Sequence, residues 1–419
     1  MKPKLFTTLQ GYTTRLFRAD VIAGVTVAMV ALPLSIAIAI ASGAQPAAGL
    51  VTAVIGGLIV SALGGSRVQI GGPTGAFIVV VYGVIHQFGF GGLLLATLMA
   101  GIVLVIGGAL RAGRMIALIP EPVIEGFTIG IAVIIGVSQL KDLLGETVSR
   151  MPAEFVQILP ALWAARESAN LVALAIGVGT IAGIMILRQF APRVPGSIVA
   201  IAIASGTVAL LALPVETLQS RFGRLPDGLP MISLPPISPE LVIALFPSAL
   251  VIAFLAGVES LLSAVVADRM IVGAHRSNAE LLAQGAANIA SPLFGGLPVT
   301  GAIARTATNV RAGGRTPVAG IVHALTILLV MVAAAPLAAY LTMPALAGLL
   351  IVTAWVMSEP HRWPERLRAN AGDRFLLFLT FGLTVLSSLT VAIAVGTAVG
   401  LALRLLLKAP VVDDDPPRG

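Results

Sequence analysis

Long apolar stretches recur along the chain, separated by short polar or basic interruptions. Val21–Ala41, Leu171–Leu187, Pro247–Ala267 and Val318–Ala335 are each long enough to cross a hydrocarbon core about 30 Å thick. The pattern predicts fourteen segments, at 21–41, 46–63, 73–86, 92–110, 122–140, 170–187, 195–212, 247–267, 277–291, 301–311, 317–335, 343–357, 373–388 and 390–407. The third and the tenth are too short to span as straight helices. The predicted fold is therefore an all-α, polytopic membrane protein.

The distribution of charge tests that segment count. With the N-terminus cytoplasmic and fourteen crossings, twenty of the 26 lysines and arginines fall on the cytoplasmic side. Lys141, Arg150, Arg166, Arg221 and Arg224 fall on the other. Such asymmetry is the signature of a correct topology, because basic loops are retained inside. It predicts a multi-pass protein of the cell inner membrane with both termini cytoplasmic. One basic residue, Arg305, is left within a span.

Composition narrows the chemistry. Of 419 residues 57% are hydrophobic and 11% charged, the mean hydropathy is +1.01, and cysteine is absent. Thiol catalysis and disulfides are thereby excluded. The net charge of +7 reports membrane topology here, and no nucleic-acid partner is expected. The N-terminus is polar and basic up to Asp20, which does not read as a cleavable signal. His86, His275, His323 and His361 are scattered without metal-ligand spacing, so loop or interfacial places are expected for them and no metal or cofactor is called for. Asp268 and Arg269 read as an interfacial pair. Gly396 and Gly400 form a GxxxG suited to close helix packing inside the protomer.

The short segments carry a repeat. GGPTGAFIVV (Gly71–Val80) and GGLPVTGAIA (Gly295–Ala304) each hold a Gly-Gly, a proline and Thr-Gly-Ala. Thr74 and Thr300 stand 226 apart (300 minus 74), an offset that also places Pro33 opposite Glu259. Seven spans is an odd number, so the second copy enters upside down, giving the 7+7 inverted repeat of secondary transporters. Pro73/Gly75 and Pro298/Gly301 mark helices that begin deep in the membrane after extended backbone, which is tolerated only inside protein or around a cavity. Two helix N-termini meeting there offer free N–H groups and about half a positive charge each, which suits an anion. Arg305, one turn into the second half-helix, adds charge. Its anionic partner is either Glu259 or a dissolved anion in a wet cavity.

These residues resemble the SulP (sulfate permease) family of anion transporters, whose animal members include prestin and pendrin. SNAELLAQGAANIASPLFGGLPVTGAIARTATNVRAGGRTPVAG (Ser277–Gly320) is its most specific part. DVIAGVTVAMVALPLSIAIAIASG, GGPTGAF and GVESLLSAVVADRM also match, and the resemblance covers nearly the whole chain. It implies a uracil-permease-like fold in which a core domain moves against a gate domain. Segments 21–140 and 247–335 would hold mainly core spans, one to four and eight to eleven. Span five, 170–212 and 343–407 would form the gate. After 1–20 as a cytoplasmic N-terminus, 408–419 would be a linker to a cytoplasmic STAS domain. The sequence stops at VVDDDPPRG, so that domain is expected to have been cut away, and with it the main support for a homodimer.

The resemblance implies substrate contacts at Leu34, Ile38, Thr74, Gly75, Ala76, Phe77, Ile303, Ala304 and Arg305, with Glu259 as the coupling residue. Many members have Pro-Gln, an aromatic and Ser-Arg where this chain has Pro33-Leu34, Ile38 and Ala304-Arg305. The missing amide and hydroxyl remove side-chain hydrogen bonds that would select among anions. The expected partners are a small anionic substrate and the lipid bilayer. The expected function is secondary active anion transport by alternating access, proton-coupled through Glu259. The alternatives are an exchanger, an anion channel, or sodium-coupled bicarbonate uptake on the same scaffold. No catalytic triad or nucleotide loop is visible, so enzymatic activity is not expected.

Overall fold

A computed structural model describes residues 2–113, 120–148, 151–152, 154–192, 194–224, 226–387 and 389–406. Arg114, Arg150, Arg193, Lys408 and Arg418 of the topology count, and the 408–419 linker, lie outside these described residues. All fourteen predicted segments are helical. The short α1 (Lys4–Thr8) precedes α2 (Thr14–Ala41) and α3 (Pro46–Leu63). Extended backbone then passes through β1 (Gly71–Gly72) into α4 (Gly75–Ala109), which breaks at Gly89, where φ is +72°. The third and fourth predicted segments are thus one helix pair joined at a kink without a loop. A left-handed φ is accessible to glycine because it lacks a Cβ.

The chain continues through α5 (Glu121–Leu144), α6 (Phe155–Ala165), α7 (Leu171–Phe190) and α8 (Gly196–Leu210). The second half runs through α9 (Pro239–Met270), α10 (Ser277–Leu293), β2 (Thr300–Gly301) and α11 (Ile303–Arg311). It ends with α12 (Val318–Ala333), α13 (Met343–Met357), α14 (Ala371–Leu386) and α15 (Leu389–Leu406). Among the described residues, seven helices are long and apolar enough to cross a bilayer unaided. Large apolar side chains such as Leu171, Phe190 and Leu210 are exposed on the outside, as lipid contact demands. Between α5 and α7, α6 leaves Trp163 exposed under the Arg166 guanidinium, 4.9 Å from the ring centre.

Two groups of helices pack among themselves. In one, α2 lies on α12, α4 on α9 and α10, and α3 on α10 and α12. In the other, α5 lies on α14, α13 on α7, and α15 on α14. The groups meet where α8 and α13 touch α2 and where α5 touches Gly75–Phe77. Glu121 and Glu125, at the start of α5, hold Arg362 at 3.1 Å, and Arg366 adds a 3.0 Å bond to Glu125. Gly396 and Gly400 admit Thr380, Val123 and Pro120, so this GxxxG packs within the protomer.

The strands β1 and β2 pair antiparallel, Gly71 with Gly301 and Gly72 with Thr300. The pairing joins the two copies of the repeat directly. The C-terminal ends of α2 and α9, Ala41 and Met270, stand 229 apart (270 minus 41), close to the offset of 226 read from Thr-Gly-Ala.

Buried side chains hold the crossed strands at membrane depth. Asn288 pairs with Val299 as a strand would, donating to its carbonyl at 2.8 Å and accepting from its N–H at 2.9 Å. Thr52 accepts from Leu297 N–H at 2.6 Å, and Ser260 accepts from Gly301 N–H at 2.7 Å. Glu280, fully enclosed, accepts from Gly65 and Ser66 N–H, Gln69 Nε2 and Gln284 Nε2, at 2.9–3.2 Å. Every one of these replaces hydrogen bonds that water cannot supply there. Glu280→Gln turns one acceptor oxygen into a donor facing other donors. It is expected to destabilise the protein by about 1–3 kcal/mol, read as a lower Tm of the detergent-solubilised protein, with anion selectivity unchanged.

Two minor expectations are corrected. Asp268 pairs with His275 at 2.7 Å rather than with Arg269, because adjacent residues on a helix point to different sides. His323 is not in a loop or at an interface but fully buried in α12.

Candidate functional site

The antiparallel pairing of β1 with β2 brings the helix starts after them together. Phe77 N–H is the first in its segment to find a helical-turn acceptor, at Thr74, and Thr306 N–H the first in α11, at Ala302. Among the described residues the N–H groups of Gly75, Ala76, Ile303, Ala304 and Arg305 have no hydrogen-bond acceptor. Five open donors thus converge from two helix N-termini, the arrangement that stabilises negative charge. Ile303, 42% exposed, and Ala304 border open space. Thr74 is half-buried, while Gly75, Ala76 and Phe77 are enclosed. A Cβ on Gly75 would meet Met357 Sδ at 3.0 Å and Ile135 Cδ1 at 3.6 Å, so α5 and α13 wall the site from the side of the second helix group.

The first-span candidates lie on the same helix but differ in access. Leu34 is half-buried against the core, and Ile38 is enclosed within it at 1% exposure. Pro33 lies in the middle of α2, where its missing N–H loosens the helix ladder.

Arg305 is 2% exposed. Its Nη2 donates to the carbonyl of Pro73, at the exit of β1 from the other repeat. Its Nε and Nη1 find no acceptor in the protein. Gly72, at φ +147°, makes room for it, since a Cβ there would strike Nη1. Glu259 lies across the site on α9, half-buried, and accepts from Thr74 Oγ1 at 3.0 Å. No ion pair joins Arg305 to Glu259 among the described residues; each bonds the chain just after β1. Of the partners weighed from the sequence, Glu259 is therefore not in direct contact with the guanidinium.

Sequence reasoning missed the support beneath the site. Gln69 reaches Ser260 at 3.3 Å, Ile70 N–H donates to Thr306 Oγ1 at 3.1 Å, and Asn309 donates to Val68 O at 2.8 Å. The available signal was amphipathicity: Thr306 and Asn309 recur at i, i+3 on one face of a nine-residue half-helix, which predicts a shared buried partner.

Discontinuous helices meeting tip to tip between repeats, with open N–H donors and a buried guanidinium, define a membrane transporter for anions. The chain belongs to the sulfate permease family, whose model matches residues 17–380. It is 43% identical over 396 residues to "Putative sulfate transporter YvdB" of Bacillus subtilis, covering 92% of this chain and 73% of that one. It is 32% identical over 413 residues to "Bicarbonate transporter BicA" of Picosynechococcus, covering 93% of this chain and 70% of the relative. The solved transmembrane domain of a cyanobacterial bicarbonate transporter BicA superposes with a TM-score of 0.81 at 30% identity, covering 91% of this chain and 98% of that one. The fold is thus the fourteen-segment inverted repeat of a multi-pass membrane protein.

Proposed function

We propose that the chain carries out secondary active uptake of a small oxyanion by alternating access, binding it between the two helix starts. The observation that carries this reading is the convergence of five unpaired N–H groups beside exposed Ile303 and Ala304. Gly75, Ala76, Ile303, Ala304 and Arg305 would contact the anion through the backbone, with Thr74 and Leu34 at the rim and Phe77 and Ile38 packed behind. Arg305 would supply field rather than a direct ion pair. Sulfate and bicarbonate are the substrates to test first, given the names of the relatives. A site built mainly of backbone donors grips charge and geometry more than identity, because no hydroxyl or amide at positions 34 and 304 reads the substrate's edge.

The α2/α3/α4/α9/α10/α11/α12 group would act as the core that carries the site, and the α5/α7/α8/α13/α14/α15 group as the gate. The sparse contact between the two groups supports relative motion. Glu259 and Thr74 would bind the coupling cation, a proton or sodium. The excess of basic residues on one side supports a cytoplasmic N-terminus by the positive-inside rule.

Uptake into liposomes with competing anions, with and without a pH or sodium gradient, tests the reading. Gradient-dependent accumulation with competition by sulfate or bicarbonate is expected; currents far above a stoichiometric cycle would establish a channel instead. Ala304→Leu places a larger side chain over the donors and is expected to lower uptake at least ~10-fold, the loss of roughly 1.4 kcal/mol of anion binding. Full uptake by this variant would move the site elsewhere.

A further inference from the structure

Away from the transport site, the N-terminal segment folds back over the core and closes a cleft of about 340 Å³. That volume lies in the range of small-molecule sites, about 300–1,000 Å³. Lys4, Arg67 and Arg315 line it, with Gln10, Thr8 and Thr316 among the other walls. Among the described residues, no carboxylate lines it.

The walls are tied in place by hydrogen bonds. Lys4 N–H donates to Gly64 O at 3.0 Å, Arg276 N–H to Gly65 O at 3.0 Å, and the Arg276 guanidinium to Lys2 O at 2.6 Å. The nearby carboxylates are already committed, Glu280 to Gly65, Ser66, Gln69 and Gln284. Asp20, fully buried, accepts from Tyr12 OH, the Arg315 and Thr316 N–H groups and Thr316 Oγ1, at 2.5–2.9 Å for three of the four and 3.1 Å for Thr316 N–H. Asp268 is held by His275. Among the described residues, none of the three cations lining the cleft forms an ion pair, and Arg67 Nε is buried without an acceptor. Burial, then the charges of Arg276 and Arg67, push the Lys4 ammonium below its usual pKa, against a smaller opposing pull from Asp268.

We propose that this cleft binds a phosphate group, held by Lys4, Arg67 and Arg315 with Gln10 as a neutral donor. Three cations that share one cleft with no direct ion-pair partner among the described residues repel one another, and a dianionic or diester phosphate relieves that repulsion while accepting several charge-assisted hydrogen bonds. Arginine forks match phosphate geometry in particular. Arg67 lies four residues before β1, and Arg315 four residues after the end of α11. An occupant would therefore clamp the N-terminal segment to the connections serving both half-helices. The phosphate is either free in solution or the headgroup of an anionic lipid.

The test uses the purified 419-residue chain in neutral detergent and in nanodiscs. Inorganic phosphate is titrated against Tm in the first arm; in the second, phosphatidylglycerol nanodiscs are compared with phosphatidylcholine ones. A rise in Tm in either arm is expected, since a ligand bound only to the folded state stabilises it, and the arm in which it occurs identifies the source. Arg67→Gln and the double variant Lys4→Gln/Arg315→Gln are each expected to weaken the apparent affinity at least ~10-fold, about 1.4 kcal/mol. Ala304→Leu, which alters only the transport site, is expected to keep the rise. A rise lost in Ala304→Leu but kept in the cleft variants would assign the binding to the transport site and overturn the proposal. Absence of any rise in both arms, or equal affinity in wild type and both cleft variants, would overturn it as well.

Discussion

Arg305→Ala is expected to abolish anion uptake and to weaken anion binding by about ten- to a hundredfold. The guanidinium is 2% exposed and its one protein acceptor is the Pro73 carbonyl of the opposite repeat. Two of its nitrogens remain without partners, directly behind the open N–H groups of α11. Its charge therefore stands uncompensated by direct contact, where low dielectric makes it act at longer range than in water. Alanine removes that field and also the bond bracing the Pro73 carbonyl, a hydrogen bond to a charged group of the kind that contributes about 1.5–3 kcal/mol. Arg305→Lys separates the two effects. It keeps the charge but loses the planar fork, so an intermediate affinity is expected. Calorimetric or fluorescence titration of the purified variants with substrate anion measures both. Unchanged affinity in a monodisperse Arg305→Ala protein would remove Arg305 from the site.

Glu259→Gln is expected to uncouple the transporter from its driving gradient. The carboxylate is half-buried on α9 and touches Thr74, one residue before the first of the open N–H groups. A cation arriving at Glu259 would cancel the carboxylate's charge beside the anion and relieve their repulsion, which lowers the cost of carrying the anion through a low-dielectric core. Glutamine preserves shape and accepts from Thr74 but cannot carry charge or proton. Accumulation driven by a pH or sodium gradient should fall to the level seen without a gradient, while anion binding at equilibrium stays within a few-fold. Thr74→Val, which removes the hydroxyl alone, should show a smaller loss of the same kind. Undiminished gradient-driven uptake by Glu259→Gln would sink the assignment.

Much of the architecture was legible because a bilayer leaves a chain few choices. An apolar run in lipid must satisfy its own backbone, so hydropathy alone locates the helices. The isolation of Arg305 followed from the same constraint: every other basic residue could be placed at a surface. The repeat was visible through Gly-Gly, Pro and Thr-Gly-Ala, residues required by backbone that turns from extended to helical inside protein. What the repeat did not reveal is that its two copies pair strand to strand, Gly71 with Gly301 and Gly72 with Thr300.

The sequence by itself determined the class of protein, the family, the fourteen segments and the two discontinuous helices, because each depends on local composition and on the solvent around it. The tertiary structure alone decided what Arg305 touches, that Glu259 bonds Thr74 instead, and that Glu280, Asn288 and Thr52 hold the crossed strands. It also decided that Lys4, Arg67 and Arg315 share one cleft. Many of these contacts join residues about two hundred or more positions apart, as with Pro73 and Arg305. Such pairings depend on how helices lie in space, which no local pattern along a single chain records.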